Sequence, residues 1–213
     1  MRKPFIVLSC LLLVSACGVL PKREPIRIFT PTQSAAADSS AWPQANWALR
    51  VAEPIASQTL DSESISVRPS EGSVHVYKGA SWADPAPELV QAALMRRFED
   101  SGKILSVARP GVGINGQYQL LTELRSFEAV YSGGAPQAVV ELQAKLVDGR
   151  DGHVIAARAF TEREAAAGED VEYVVQAFSR ALDRSTAAVA GWTLAEGNRH
   201  EAKHAAGGGH DKH

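Results

Sequence analysis

Two cysteines and six histidines are the side chains of this sequence best suited to act as nucleophile, general base or metal ligand. The cysteines are Cys10 and Cys17, both close to the N-terminus. The histidines form two groups: His75 and His153 in mid-chain, and His200, His204, His210 and His213 in the closing stretch "EGNRHEAKHAAGGGHDKH". What these groups can do depends on where the chain goes and what it keeps.

Arg2 and Lys3, an apolar run from Phe5 to Val14 and the small residues Ser15 and Ala16 lead up to Cys17 in the order of a secretory signal. The apolar run is shorter than the roughly 20 residues a membrane-spanning helix needs. Cutting before Cys17 discards Cys10. The mature chain then keeps a single thiol, so it cannot staple itself with a disulfide as small exported domains commonly do. "VSAC", residues 14–17, resembles the lipobox of bacterial lipoproteins, in which the cysteine becomes the lipid-modified first residue. On that resemblance residues 1–16 are a lipoprotein signal peptide, and Cys17 carries N-acyl and S-diacylglycerol groups and is the lipidation site. Several tens of methylenes, at about 0.8 kcal/mol each, make such an anchor permanent.

With Cys17 acylated, no thiol nucleophile remains. No Walker-type glycine loop is followed by Lys and Ser or Thr, and no serine stands in a Gly-x-Ser-x-Gly elbow. The glycines of "RPGVGING" read as a turn, because their spacing does not fit a dinucleotide fingerprint. His75 beside Val74 and Val76, and His153 after a turn, read as solvent-facing residues. The four C-terminal histidines sit in a segment without periodicity, where chelation without preformed geometry is weak and unselective. No catalytic residue, metal site or cofactor other than the covalent lipid is therefore expected, and the chain reads as a non-enzyme. Tyr77 and Trp82, in "YKGASWADPAPELV", suit a core or a contact surface, since large aromatics are enriched in both. They are the possible interface residues.

Charge narrows the partners. Loss of residues 1–16 reduces the 22 basic residues to 20 against 24 acidic ones, a formal charge of −4. A nucleic-acid binder needs a basic excess or stripe, and neither is present. A 45% hydrophobic content and a mean hydropathy of −0.12 fit one globular domain with tails.

The elements that must position these residues follow from periodicity. Residues 17–43, rich in Pro, Ser, Ala and Thr, read as a lipidated N-terminus and flexible tether reaching roughly 25 to 30 Å. "IRIFT" at 26–30 is either a first strand or a docking peptide. Alternation predicts strands in "WALRVAEP" from Trp47, in 64–68 and in 73–79, the last two a hairpin through "PSEG". A helix over 82–102 has Asp84 to cap it, Pro85 in its first turn and Gly102 to stop it. "KILSVA" is a strand, and a meander of long strands follows at 118–131, 138–147 and 153–164. A last helix spans Glu169 to Trp192. These elements predict an α+β two-layer sandwich over 44–193, with a mostly antiparallel sheet of five or six strands and two helices on one face. Residues 194–213 read as a disordered His-rich tail.

At "VYKGASWADPAPELVQAALMRRFEDSG", and again at "YQLLTELRSFE", "VELQAKLVDGRDGHVIAARAF" and "VVQAFSRALDR", the sequence resembles the ABC-type transport auxiliary lipoprotein family, the PqiC- or YmbA-like proteins. The resemblance covers about residues 26–192. It implies a non-catalytic auxiliary or docking subunit of an MCE-type ABC lipid transport system that moves lipids between inner and outer membranes. The implied partners are an MCE-domain protein and the ABC permease and ATPase complex, and members can form homo-oligomeric rings. The implied location is the periplasmic face of the outer membrane, which Gly18 in place of an aspartate after the cysteine also suggests. Direct lipid carriage in a cavity between sheet and helices is the alternative and needs a sizeable apolar pocket. An envelope hydrolase lacks a nucleophile in a recognisable setting.

Overall fold

A computed structural model describes residues 25–34, 39–70, 72–113 and 116–207. The segment expected to be a signal peptide, residues 1–16, with Cys10, and Cys17, His210 and His213 lie outside the described residues. In chain order the elements are β1 (Arg27–Phe29), β2 (Ala45–Val51), β3 (Ile55–Ala56), β4 (Ser64–Ser70) and β5 (Ser73–Trp82). Helix α1 (Ala86–Ser101) and strand β6 (Ile104–Ala108) come next. The chain closes with β7 (Tyr118–Val130), β8 (Gln137–Asp148), β9 (Val154–Ala165) and α2 (Val171–Gly207).

The long strand β7 is the spine of the sheet. One edge pairs antiparallel with β8 along its full length, and β9 pairs antiparallel with β8. Along the other edge lie three short parallel strands in succession: β2 against Tyr118 to Leu120, β3 against Glu123 and Leu124, and β4 against Glu128 to Val130. Pro54, which has no N–H to give a ladder, separates β2 from β3. From this broken edge β2 passes outward to β6, and β4 to β5 and then β1. β7 carries its own irregularity. Tyr118, Leu120, Thr122 and Leu124 face the core at even positions; a register shift between Leu124 and Ser126 then moves the buried set to Phe127 and Ala129.

The α+β class and the two helices agree with the sequence, but the sheet is larger and of a different kind. Among the described residues it has nine strands, and five of its eight pairings are parallel. A mostly antiparallel sheet of five or six strands is corrected accordingly. The parallel partners stand some 50 to 70 residues apart in sequence, as Arg27 with Ala80 or Leu49 with Tyr118, and local periodicity carries no information about such pairs.

Helix α1 starts without the expected cap. Pro85 occupies the N-cap position and no side chain, Asp84 included, bonds the first turn; Pro87 lies in that turn instead. Its end follows expectation: Gly102 takes φ +60° and its N–H reaches the Glu99 carbonyl at 3.2 Å. The helices pack on each other and share one core with the sheet. Leu89, Val90, Leu94 and Phe98 of α1 and Val174, Phe178, Leu182 and Val189 of α2 bury against strand residues such as Leu49, Leu124 and Leu142.

Two boundary assignments change. The segment expected to be tether is, over residues 25–34, part of the body. β1 pairs with β5, and beyond it the Thr32 N–H donates to Ser179 Oγ at 3.0 Å, the Ser34 N–H to Asp183 Oδ1 at 3.1 Å and Gln33 Nε2 to the Ala93 carbonyl at 3.0 Å. Arg97, 5% exposed, forms an ion pair with Asp183 and donates to the Ser34 carbonyl at 3.4 Å, so the same pair ties α1, α2 and the segment together. Polar side chains of the helices satisfy this backbone, which is why no apolar periodicity announces it.

The expected C-terminal tail is also ordered as far as it is described. Helix α2 does not end at Trp192 but runs to Gly207, 37 residues in all. Thr193 and Leu194 are fully buried. Gly197 is a packing notch: a Cβ there would lie 2.4 Å from Trp47 Cζ2. Trp47 Nε1 donates to Asn198 Oδ1 at 2.8 Å, and Asn198 Nδ2 donates to the Gln44 carbonyl at 2.8 Å. Glycine and asparagine, which normally signal a helix stop, here let the helix approach a tryptophan.

Candidate functional site

The residues singled out by the sequence fall in separate places. Cys17 lies outside the described residues. Trp82 is 1% exposed, with its ring 5.6 Å from Phe127 and 5.2 Å, edge-on, from Phe178. It is a core residue and presents no ring face to a partner. Tyr77 is half-buried on β5 beside a bulge in which Gly79 takes φ +65°, and its hydroxyl lies 3.2 Å from that of Tyr131. Burial first, then the Tyr131 hydrogen bond, raises the Tyr77 phenol above its ordinary pKa. His75 is exposed on β5. His153 is exposed after the β8–β9 turn, its N–H donating to Asp151 Oδ1 at 2.9 Å. His75 and His153 thus stand where the sequence puts them.

The polar cluster that the fold does assemble lies elsewhere, at the end of the β8–β9 hairpin. Tyr118 opens β7 and Asp148 closes β8, and antiparallel register makes them direct cross-strand partners on one face. The last turns of α2 cross above them. His200 and His204 are one turn apart and so share a helix stripe, and Glu201 adjoins it. Trp47 packs edge-on against Tyr118 at 4.9 Å and holds its ring in place.

The hydrogen bonds of this cluster fix its electronics. Tyr118 donates its hydroxyl proton to Glu201 Oε1, and Tyr118 Oη is 3.0 Å from His200 Nδ1. With its one proton committed to Glu201, the phenol oxygen can only accept from His200. Nδ1 of His200 then carries the hydrogen and Nε2 the lone pair. Nε2 faces His204 Nε2 at 3.2 Å. Asp148, 3% exposed, is gripped by Arg150, whose Nε lies 2.9 and 3.1 Å from the two carboxylate oxygens and whose Nη2 lies 2.6 Å from Oδ2. That fork holds its carboxyl down at about 2. Burial, reinforced by Glu201, pushes the Tyr118 phenol up. The cluster therefore offers imidazole nitrogens and a firmly ionised carboxylate, but no serine or thiol nucleophile.

None of this was legible in advance. Tyr118, Asp148 and His200 come from three elements, and the stretch that carries His200 is polar, Gly-rich and without apolar periodicity. The signal available was the i, i+4 spacing of His200 and His204.

For lipid carriage the relevant space is the layer between sheet and helices. Among the described residues that layer is filled by side chains, Trp82, Phe127 and Phe178 at its centre. A cleft of about 320 Å³ beside residues 32–34 is lined by polar groups including Gln33, Gln176, Arg180 and Asp183, a poor match to an acyl chain. Among the described residues no helix is long and apolar enough to cross a membrane.

Known proteins resemble the chain over this body. A crystal structure of a protein from Xanthomonas campestris is 41% identical, superposes with a TM-score of 0.78, and covers 82% of this chain and 98% of its own. A second solved structure, of an uncharacterized protein, has a TM-score of 0.60 at 15% identity, covers 78% of this chain and 97% of its own, and supports the fold alone. An uncharacterized protein of Bradyrhizobium diazoefficiens is 30% identical over 146 residues, 68% of this chain; the chain spans only 39% of that relative's length. Residues 29–190 match the family described as ABC-type transport auxiliary lipoprotein component. That span runs from the end of β1 to the middle of α2, well over half of the sequence, and the chain belongs to the ABC-type transport auxiliary lipoprotein family.

Proposed function

We propose that this chain is the lipid-anchored, non-catalytic docking subunit of an MCE-type ABC lipid transport system, acylated on Cys17 and seated on the periplasmic face of the outer membrane. The observation that carries the reading is the family match over residues 29–190, joined to a lipobox that ends at Cys17. The ordering of residues 25–34 sharpens it. Seven residues, and so eight residue-to-residue steps, separate Cys17 from Pro25, and at about 3.3–3.6 Å a step they allow the body to stand no more than about 30 Å from its anchor. A docking subunit held this close works at the membrane surface rather than shuttling through the periplasm. Assembly into a homo-oligomeric ring belongs to the same reading.

The test is affinity capture from native membranes with a tagged chain, combined with density-gradient separation of the two membranes. Recovery of an MCE-domain protein, with the chain in the outer-membrane fraction, is the expected result. Failure to recover such a protein from membranes that contain both sinks the docking role, and the chain in the inner-membrane fraction sinks its placement. Mass photometry in detergent that shows only monomer removes the ring.

A further inference from the structure

The family match covers residues 29–190 and so includes Asp148 but stops ten residues short of His200, which leaves both histidines of the cluster at the end of α2 outside the matched span. We propose that Asp148, His200 and His204 bind one divalent transition-metal ion, with Zn²⁺ as the natural occupant.

The geometry supplies the ligands. One ligand atom from each of the three residues lies within 4.8 Å of each of the others. The His200 and His204 Nε2 atoms, 3.2 Å apart, already have the spacing of two nitrogens on a tetrahedral zinc with bonds of about 2.0–2.1 Å. Rotation of His204, whose ring is exposed, closes its own edge to Asp148, and His200 stands beside that carboxylate, its Nδ1 4.0 Å from Oδ2. Two histidines and a carboxylate are a borderline-to-hard donor set suited to zinc, and they leave a fourth position for water.

The surroundings match a metal site as well. A ligating histidine normally gives its other ring N–H to a second group that fixes tautomer and orientation. His200 does this through Nδ1 to Tyr118 Oη, itself tied to Glu201 and wedged by Trp47. Asp148 is held in place by Arg150, which grips both oxygens with its guanidinium and donates its backbone N–H to Oδ1 at 2.9 Å, so an ion at this carboxylate would compete with part of that grip. Arg150 pairs with Asp148 and lies 3.8 Å from Glu201 Oε1, and the Arg50 guanidinium stands beside Gly149 next to them. Without an ion, the two imidazole nitrogens at 3.2 Å can share only one proton between them. With one, both lone pairs have the same acceptor. The ion would fasten the last turns of α2 to the β8–β9 turn.

The test uses the full-length chain purified in detergent, stripped with a chelator and titrated with ZnCl₂ against a chromophoric competitor. We expect one Zn²⁺ per chain with a sub-micromolar Kd. His204→Ala and Asp148→Asn should each weaken it by about tenfold or more, while removal of residues 208–213 leaves it unchanged. His204 touches only His200 among the described contacts, so its variant should fold normally and report binding alone. Excess ZnCl₂ should raise the Tm of the wild-type chain and not that of His204→Ala. Absence of stoichiometric binding at micromolar metal overturns the proposal. So does binding that survives His204→Ala and vanishes when residues 208–213 are removed, since His210 and His213 would then be the ligands.

Discussion

Glu164, on β9, accepts a hydrogen bond from Arg180 Nε at 2.7 Å and pairs with Arg184, and these two arginines of α2 hold its carboxyl below the ordinary value of 4.5. A depressed carboxyl contributes stability that is fully present above its unfolded-state value and is lost as pH falls through the folded one. The midpoint of urea unfolding should therefore drop on acidification from about pH 5 to pH 3, and Glu164→Gln should flatten part of that drop. Both arginines are about half exposed, so at neutral pH the variant should cost only about 0.5–1 kcal/mol, less in high salt. Trp82→Ala is the contrasting case, since it opens a cavity between Phe127 and Phe178 and should cost about 3–5 kcal/mol in the same measurement. From the sequence Trp82 and Tyr77 looked alike, two aromatics near a helix start. Which one is core depends on the bulge at Gly79 and on Phe178, about a hundred residues further on.

Element boundaries were legible where the device is local and illegible where it is a contact. Gly102 ends α1 because its own backbone takes φ +60°, and a glycine after an amphipathic run announces that. Gly197 carries the same letter and the opposite meaning. Gly197→Ala makes this measurable: helix propensity alone favours alanine by about 1 kcal/mol, while a Cβ 2.4 Å from Trp47 costs about 1–3 kcal/mol of overpacking. The expected outcome is a lower Tm, with faster amide exchange in the last turns of α2; a raised Tm would show that the tryptophan yields. Arg97→Ala removes the buried partner of Asp183 and the clasp on Ser34. It should cost about 3–5 kcal/mol and make residues 25–34 susceptible to protease.

At the scale of the whole molecule, Cys17→Ala should release the protein to the periplasm without changing its circular-dichroism spectrum, because the core begins at the far end of the short segment after Cys17. A variant that stays with the membrane contradicts the lipid anchor, and one that loses its spectrum contradicts the independence of the body. The order of the long strands β7, β8 and β9 and the amphipathic faces of both helices are determined by the sequence itself, since each is written within a few residues of where it acts, and the proposed export signal and acylation site rest on the sequence in the same way. The nine-strand mixed sheet, the clasped N-terminal segment, the extended α2 and the cluster of Asp148, His200 and His204 were decided by the tertiary structure alone. The physical reason is the same for all four. Each depends on groups far apart in the chain, Leu49 with Tyr118, Ser34 with Asp183, Trp47 with Gly197, Asp148 with His200, and periodicity along one segment says nothing of what another segment brings to meet it.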